Sequence, residues 1–195
     1  MEHPMTPSPS PFPQKVRAEI DASGFHEHNM LVYPDLDTFS ETYCMYAKIH
    51  LHPKYNEIVL IVTQYQTIDN VRQNLRDYGV DVDKHENEGS LVIIDAVEGY
   101  QSDNDHSGVF KLAQSLVQRA EKEGKGGLCV FGDMGSFFMY DKIIELLQYE
   151  LSIPQNPPIK LKAFCSYHAG DYGNLTEEQK ETLAKNHYRR LIPQN

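Results

Sequence analysis

The sequence lacks several features that would place it at once in a class of protein. It has no tryptophan and only three cysteines, Cys44, Cys129 and Cys165, which form no Cys-x-x-Cys pair. Cysteines that are odd in number and widely spaced fit a reducing compartment and argue against a disulfide framework or a structural zinc site. The apolar runs are strand-sized, far below the roughly 20 residues of a membrane-spanning helix, and no signal-peptide pattern is present. We therefore expect a cytoplasmic protein without a membrane anchor.

Positive charge is also scarce. Lys and Arg total 18 against 28 Asp and Glu, which gives a formal net charge of -10, and no basic run appears. A direct nucleic-acid partner is therefore not expected. The length of 195 residues predicts a single domain. Prolines at positions 4, 7, 9, 11 and 13 cannot continue a helix or a sheet ladder, so we predict a flexible tail over residues 1–20 and one domain over 21–195.

Strand-like and helix-like segments alternate along the rest of the chain. Apolar runs predict strands at 30–33, 57–63, 90–95, 127–133 and 159–165. Capping boxes at 38–41 and 176–179 predict helix starts, Asp105 or Ser107 is expected to cap a third helix, and 137–151 reads as one helix. Residues 80–82 are predicted to form a short strand or edge piece. The alternation predicts an α/β fold, a three-layer α/β/α sandwich with a mostly parallel sheet.

The loop after the first predicted strand lacks the residues that hold phosphate. Residues 34–41 contain no glycine to bring backbone amides close to a phosphate and no Lys-Ser/Thr pair. They instead carry Asp35, Asp37 and Glu41, which complement a helix dipole and would repel a triphosphate. The sequence therefore predicts neither ATP hydrolysis nor a bound cofactor.

The order of motifs resembles a known group. Residues 31–95, with the segments 57–62, 71–81 and 89–95, resemble the front half of the RecA/KaiC-like ATPases. They resemble still more the MEDS sensory domain, which is similar to KaiC but lacks the P-loop, and the later segments 130–134, 146–150 and 164–168 with His187 also fit that pattern. The resemblance runs from His28 to the C-terminus. It implies a RecA/KaiC-like fold, a role in signal transduction and a small-molecule ligand such as a hydrocarbon derivative. It also implies a separate signalling protein, such as a histidine kinase or a transcription regulator, because family members are often fused to these.

Residues that follow the strands are the candidate ligand-binding residues, because ligands of open α/β sheets lie beyond the carboxyl ends of the strands. The candidates are Tyr33, Asp35, Asp37, Gln64, Asp95, Asp133, Cys165, Tyr167 and His168. Tyr65 and Met134 lie at the same strand ends. A polar rim around an apolar pocket is one interpretation; helix caps and satisfied loop side chains are the other.

Metal binding and catalysis receive little support from the sequence. His26 with His28, and His50 with His52, are spaced by two residues, but no His-Glu-x-x-His or repeated carboxylate pattern completes a site. We expect surface or capping histidines and no metal. Asp133 follows an apolar run like a magnesium-binding acid, yet the P-loop partners are missing. Cys165 and His168 could form a nucleophile and base, but a buried cysteine is the expected state.

These observations predict a non-catalytic sensory or regulatory domain that binds a small ligand at the strand ends and signals through a partner protein. Two alternatives stay open: a divergent nucleotide-binding KaiC-like ATPase, and a structural interaction protein whose pocket is filled by its own aromatic side chains. Four large side chains at 137–140 would indicate a dimer face or a hydrophobic pocket if they were exposed together, so a homo-oligomer also stays open.

Overall fold

A computed structural model describes residues 14–102 and 106–192 of the protein. Within them the strands form one sheet in which every pair is parallel, in the order β3-β2-β4-β5-β1-β6. The strands are β1 (Glu27–Tyr33), β2 (Ile58–Thr63), β3 (Leu91–Asp95), β4 (Leu128–Asp133), β5 (Leu161–His168) and β6 (Arg190–Leu191). Strands β1, β2 and β4 are buried at every position, as expected of parallel strands covered on both faces.

Helices cover both faces of the sheet and complete the three-layer α/β/α sandwich that the sequence predicts. They are α1 (Gln14–Ala22), α2 (Leu36–His50), α3 (Ile68–Asp77), α4 (Val82–Asn87), α5 (Ala96–Gln101), α6 (Gly108–Lys122), α7 (Gly135–Met139), α8 (Ile143–Ser152), α9 (Ala169–Gly173) and α10 (Glu177–Asn186). No helix of the described residues has the length and apolarity to cross a lipid bilayer.

The direction of each crossover decides which face a helix covers. Connections that lead towards the β3 edge place α2, α3 and α4 on one face, and α1 packs there through Val16 and Ile20. Connections that lead towards the β6 edge place α5 to α10 on the other face, where Phe137, Leu146 and Leu183 enter the second core cluster. Alternation of side chains along the strands supplies both cores, so neighbouring residues of one strand belong to different clusters.

The predicted end of the tail, at residue 20, lies too far along the chain. Residues 14–20, assigned to the tail, form most of α1, whose Val16 and Ile20 are buried against the sheet. The predicted boundary at residue 20 therefore falls inside a helix. Residues 1–13 and the proposed cap Asp105 lie outside the described residues, whereas Ser107 directly precedes α6 as predicted.

Three local predictions about elements are wrong, and local hydrogen bonds explain each. Residues 80–82 do not form a strand, because the Asp81 side chain accepts from the Lys84 amide and starts α4. Helix α2 starts at Leu36 and not after Thr38, because Asp35 is its cap. The predicted helix 137–151 is two helices, α7 and α8, separated by Asp141 with φ 54° in a Schellman-type turn.

Candidate functional site

The carboxyl edge of the sheet contains two adjoining crevices. Strands β2 and β4 are neighbours, but their connections leave towards opposite faces, and the same holds for β5 and β1. Such switch points are where ligands bind in open parallel sheets, since the diverging connections leave a gap between them. The loops after these four strands therefore surround one candidate site at this edge.

A buried pair of side chains lies beneath the edge. The Tyr33 hydroxyl at the end of β1 donates to Asp133 Oδ2 at the end of β4 over 2.9 Å, across the intervening strand β5. The Gly135 amide donates to Asp133 Oδ1 over 2.9 Å. Burial raises the pKa of Asp133 to about 7, although these two hydrogen bonds act in the opposite direction. Burial and the neighbouring carboxylate likewise raise the pKa of Tyr33.

A second tyrosine–aspartate pair lies above the first and nearer to solvent. The Tyr65 hydroxyl, in the loop after β2, donates to Asp171 Oδ2 in α9 over 2.6 Å. The His168 ring lies edge-on to both tyrosines, 5.5 Å from the Tyr33 ring and 6.0 Å from the Tyr65 ring. Its Nδ1 accepts from the Gly170 amide and caps α9. The loops after β1, β2, β4 and β5 are thereby joined through aromatic rings and two carboxylates.

Close packing at Gly135 fixes the position of the Tyr65 ring. A Cβ atom at Gly135 would lie 2.6 Å from Cε2 of Tyr65 and 2.8 Å from Cγ of Gln64, so a larger residue would displace this loop. Gln64 itself is half-buried; its amide nitrogen donates to the Met139 sulfur at 3.4 Å, and its Oε1 has no hydrogen-bond partner among the described residues. The loop after β2 therefore carries one free acceptor at the edge.

An open groove of about 430 Å³ adjoins the Tyr65–Asp171 pair. Its walls come from the loop after β2, the α7–α8 turn, and α9 with the start of α10. The lining residues are Tyr65, Phe138, Met139, Asp141, Ile143, Asp171, Asn174, Leu175 and Gln179. Apolar side chains and uncharged or acidic polar groups alternate around it, and its volume is in the range of small-molecule sites.

The remaining candidates at the edge lie at the starts of helices. Asp35 is exposed and accepts from the Thr38 amide at the start of α2, and Asp37 is exposed in the first turn of that helix. Asp95 accepts from the amides of Val97 and Glu98 at the start of α5, and its strand β3 lies at the far border of the sheet. The capping interpretation of the sequence therefore describes Asp35 and Asp95, whereas Asp37 is placed to complement the dipole of α2.

Cys165 and Tyr167 face a different place, inside the core under α8 and α10. Strand β5 continues to His168, so Cys165 lies three positions before its end. Alternation puts Cys165 and Tyr167 on one face of the sheet and His168 on the other, which separates the predicted nucleophile from its predicted base. The expectation that Cys165 is buried is confirmed, since the residue is only 5% exposed.

The neighbours of Cys165 form a wholly buried polar cluster. It consists of His28 in β1, Glu150 in α8, Cys165 in β5 and His187 directly after α10, and one potential ligand atom from each lies within 4.8 Å of all the others. We call these four residues the interior cluster. His28 Nε2 lies 3.2 Å from Cys165 Sγ and 3.0 Å from Glu150 Oε2, and His187 Nε2 lies 3.2 Å from the same carboxylate oxygen.

Charge in the interior cluster is shared between Glu150 and the imidazoles. Burial alone would raise the pKa of Glu150, but the two imidazoles hold it below its ordinary value. Burial opposes protonation of His187, yet the carboxylate outweighs it and raises the pKa of this histidine. His28 has its pKa lowered, chiefly by burial, and burial also raises the pKa of the Cys165 thiol. The Tyr167 hydroxyl donates to Glu150 Oε1.

The prediction of surface or capping histidines is wrong for His28, which is fully buried. It is confirmed for His52, which is exposed and accepts from the Lys54 amide, and His26 is exposed as expected. His50 is partly buried, with Nδ1 2.9 Å from Glu57 Oε1. The interior cluster was missed because its members are far apart in the sequence. One signal was available, since His28 lies two residues before Met30, where the apolar run of β1 begins, and belongs to a strand that is buried at every position.

The aromatic run 137–140 is divided between core and surface. Phe137 is fully buried and Phe138 packs beside the core, whereas Met139 and Tyr140 are 59% and 51% exposed. A separate small space of about 20 Å³ borders Cys165, Tyr100 and Tyr149, enough for about one water molecule. The aromatic side chains therefore fill the core without closing the edge groove.

Comparison with known proteins assigns the chain to a family. The model of the MEDS family, the MEthanogen/methylotroph, DcmR Sensory domain, matches residues 27–187. The chain belongs to the MEDS family. No curated protein matches it. The match begins at the first residue of β1, ends at His187, and so includes the edge groove and the whole interior cluster. The family is described as a sensory domain, which agrees with the predicted sensory or regulatory role.

Proposed function

We propose that this MEDS domain is a non-catalytic sensor that binds a small ligand in the edge groove and passes a conformational change to a separate signalling protein. The observation that carries the proposal is the Tyr65–Asp171 hydrogen bond, which forms one wall of the groove between the loop after β2 and helix α9. The ligand would contact the two elements that this bond holds together.

The composition of the groove supports a small and largely uncharged ligand. Phe138, Met139, Ile143 and Leu175 supply apolar surface, and Asn174 and Gln179 supply amide groups. Among the described residues that line the groove none is lysine or arginine, so an anionic ligand would meet Asp141 and Asp171 without a compensating cation from this part of the chain. Apolar surface with a few orienting polar groups is the usual composition of a small-molecule site.

The start of α2 supports the absence of ATP chemistry. In a RecA/KaiC-like arrangement the phosphates would lie at the helix after β1, bound by free amides. Here Asp35 already accepts from the Thr38 amide, and two residues separate the end of β1 from the start of α2. A carboxylate at this position satisfies a donor that phosphate would need and has the same sign of charge as phosphate.

The paired tyrosines supply a route from the groove into the sheet. A ligand that separates Tyr65 from Asp171 would leave the His168 cap of α9 in place, and the ring of His168 also contacts Tyr33. Tyr33 in turn is bonded to Asp133 across β5. A ligand that binds one arrangement of this network more tightly than the other shifts the population of the two, and the partner protein would respond to that shift.

A thermal-shift experiment tests the proposal. The full chain is heated with Mg-ATP, and separately with a panel of small apolar and halogenated compounds. A ligand at 100 times its dissociation constant adds about 2.7 kcal/mol, which raises the melting temperature by roughly 5 to 10 °C in a chain of this size. We expect a shift with a member of the panel and none with Mg-ATP.

Two variants localise the binding. Tyr65→Phe removes the hydroxyl that donates to Asp171, and it should weaken the shift while leaving the unliganded melting temperature within a few degrees. Tyr188→Phe is the matched control, because this tyrosine is 50% exposed and does not line the groove. A rise in melting temperature with Mg-ATP would overturn the proposal in favour of a nucleotide enzyme. If none of the compounds raises the melting temperature, the result would favour the interaction protein.

A further inference from the structure

We propose that the interior cluster is a closed structural metal site, in which His28, Glu150, Cys165 and His187 together bind one divalent transition metal ion such as Zn²⁺. This inference is independent of the edge groove. It concerns residues within the core, under α8 and α10. Neither the sequence patterns nor the family match indicates a metal ion at these residues.

The distances in the interior cluster suit a single ion. A tetrahedral zinc ion with bonds of about 2.0 to 2.3 Å holds its ligand atoms about 3.3 to 3.8 Å apart. The separations of 3.0, 3.2 and 3.2 Å are a few tenths of an ångström too short, and the widest, which lie inside 4.8 Å, would have to shorten by up to roughly 1 Å. Side-chain rotations alone can supply changes of that size.

The ligand atoms converge on one carboxylate oxygen without well-aligned hydrogen bonds. Glu150 Oε2 forms ion pairs with His28 Nε2 at 3.0 Å and His187 Nε2 at 3.2 Å, yet among the described residues no contact with hydrogen-bond geometry reaches Glu150 Oε2 or His187 Nε2. Both side chains are 0% exposed. Unsatisfied polar atoms are rare in native cores because each costs free energy. Their convergence on one point is what an ion at that point would explain.

Other contacts orient the ligands towards the centre. The His187 Nδ1–H donates to the Leu183 carbonyl over 2.6 Å, which leaves the Nε2 lone pair facing the interior cluster. The Tyr167 hydroxyl donates to Glu150 Oε1, which leaves Oε2 for the ion. Outer hydrogen bonds of this kind fix the ring tautomer and the carboxylate position in metal sites.

The donor set determines the kind of metal. One thiolate, two imidazoles and one carboxylate form a borderline-soft set, which suits zinc and its neighbours better than magnesium or calcium. The charges cancel, because the ion carries two positive charges and the thiolate and carboxylate carry one negative charge each. A neutral assembly is the form that a dry interior tolerates best. Binding releases to solvent the thiol proton and any proton that His187 carries on Nε2 beside Glu150. Four protein ligands leave no open position, so the expected role is structural.

The site would join parts of the chain that are far apart in sequence. His28 and Cys165 lie on paired strands, Glu150 lies on α8, and His187 lies at the end of α10. Among the described residues α8 and α10 also pack against each other. An ion here would hold both helices on the sheet, and, because the ligands are fully buried, it would enter during folding and leave only on opening of the core.

The test uses the full chain refolded with Zn²⁺ or with Co²⁺, followed by gel filtration and measurement of the metal content. We expect one ion per chain and, for cobalt, the near-ultraviolet absorption of a cobalt–thiolate bond together with strong visible bands of a tetrahedral ion. Cys165→Ser should abolish the thiolate absorption, and His187→Gln should reduce the affinity at least tenfold. Cys44→Ser is the matched control, since Cys44 is equally buried but lies in α2 on the opposite face.

Each outcome of this test either supports the metal site or overturns it. Thiolate absorption in the parent and in Cys44→Ser, with loss in Cys165→Ser, supports the site. Absence of bound metal in the refolded parent overturns it, as does an unchanged cobalt spectrum in Cys165→Ser. If circular dichroism shows that Cys165→Ser does not fold, His187→Gln decides: unchanged cobalt affinity in that variant contradicts the assignment, and reduced affinity with a retained fold supports it.

Discussion

Two polar centres of this molecule, the edge of the sheet and its interior, use similar residue types in different surroundings. At the edge, Tyr65 lies in the loop after β2 and Asp171 in the short helix α9, and the hydrogen bond between them is exposed to solvent. In the interior, Tyr167 on strand β5 donates to Glu150 of the interior cluster on helix α8, and both residues are fully buried. The difference teaches that the energetic weight of a tyrosine–carboxylate contact depends on its access to water, and the ligand-binding role proposed for the edge pair rests on that access.

The largest difference between the two centres should appear on removal of a carboxylate. Glu150→Ala leaves His187 and Tyr167 without their buried partner, so we expect the free energy of unfolding to fall by about 3 to 5 kcal/mol. Urea denaturation followed by circular dichroism measures this. The control Glu181→Ala removes an exposed carboxylate near Lys185 and should change stability by less than about 1 kcal/mol. Equal effects of the two variants would show that the buried carboxylate of Glu150 contributes no more to stability than the exposed carboxylate of Glu181.

A pH experiment sharpens the comparison at Asp133, the one buried carboxylate of the edge network. Its pKa is raised to about 7 in the folded protein, above the ordinary value of 3.8. The folded state therefore binds the proton more tightly than the unfolded state, and the contribution of this residue to stability falls as pH rises from about 4 to about 7. Asp133→Asn removes that dependence.

The measurement is the difference in stability between the parent and Asp133→Asn at pH 4.5 and pH 7.5. We expect the variant to gain about 3 kcal/mol relative to the parent over this interval, since each pKa unit corresponds to about 1.4 kcal/mol. Taking the difference removes the other titrating groups, such as His187, which are common to both proteins. A difference that does not change with pH would show that Asp133 titrates normally despite its burial.

The smallest expected effect is at Asp35, whose carboxylate caps α2 at the site of the absent P-loop. Asp35→Ala removes the acceptor for the Thr38 amide and should cost about 1 kcal/mol, whereas Asp35→Asn keeps an acceptor and should be nearly neutral. Thermal unfolding of both variants, each alone and with Asp37→Asn, measures this. A loss well above about 2 kcal/mol for the double substitution to Asn would show that the two carboxylates form a site beyond helix capping.

Different parts of this molecule were predictable from the sequence for different reasons. Strands β1 to β5 were found because buried parallel strands are continuous apolar runs, whereas the two-residue strand β6 was missed because it is too short to show one. The Thr176 capping box marked the start of α10 correctly. The edge residues Tyr33 and Asp133 were candidates because they end strands, but their hydrogen bond across β5 depends on strand order, which periodicity does not encode. The short helix α4 was missed because its six residues are too few to show a helical period. The β-branched pair Val80 and Val82 favoured a strand instead.

The sequence alone determined the alternation of strands and helices, the lack of phosphate-binding residues and the membership of a sensory family, because these depend on local composition and residue order. Tertiary structure decided which side chains meet. His28, Glu150, Cys165 and His187 converge because β1 pairs with β5 while α8 and α10 cover the same face, and the Tyr65–Asp171 contact exists because two crossovers leave the sheet in opposite directions. Contacts between distant segments follow from the order of the strands, and that order is set by the packing of the whole chain.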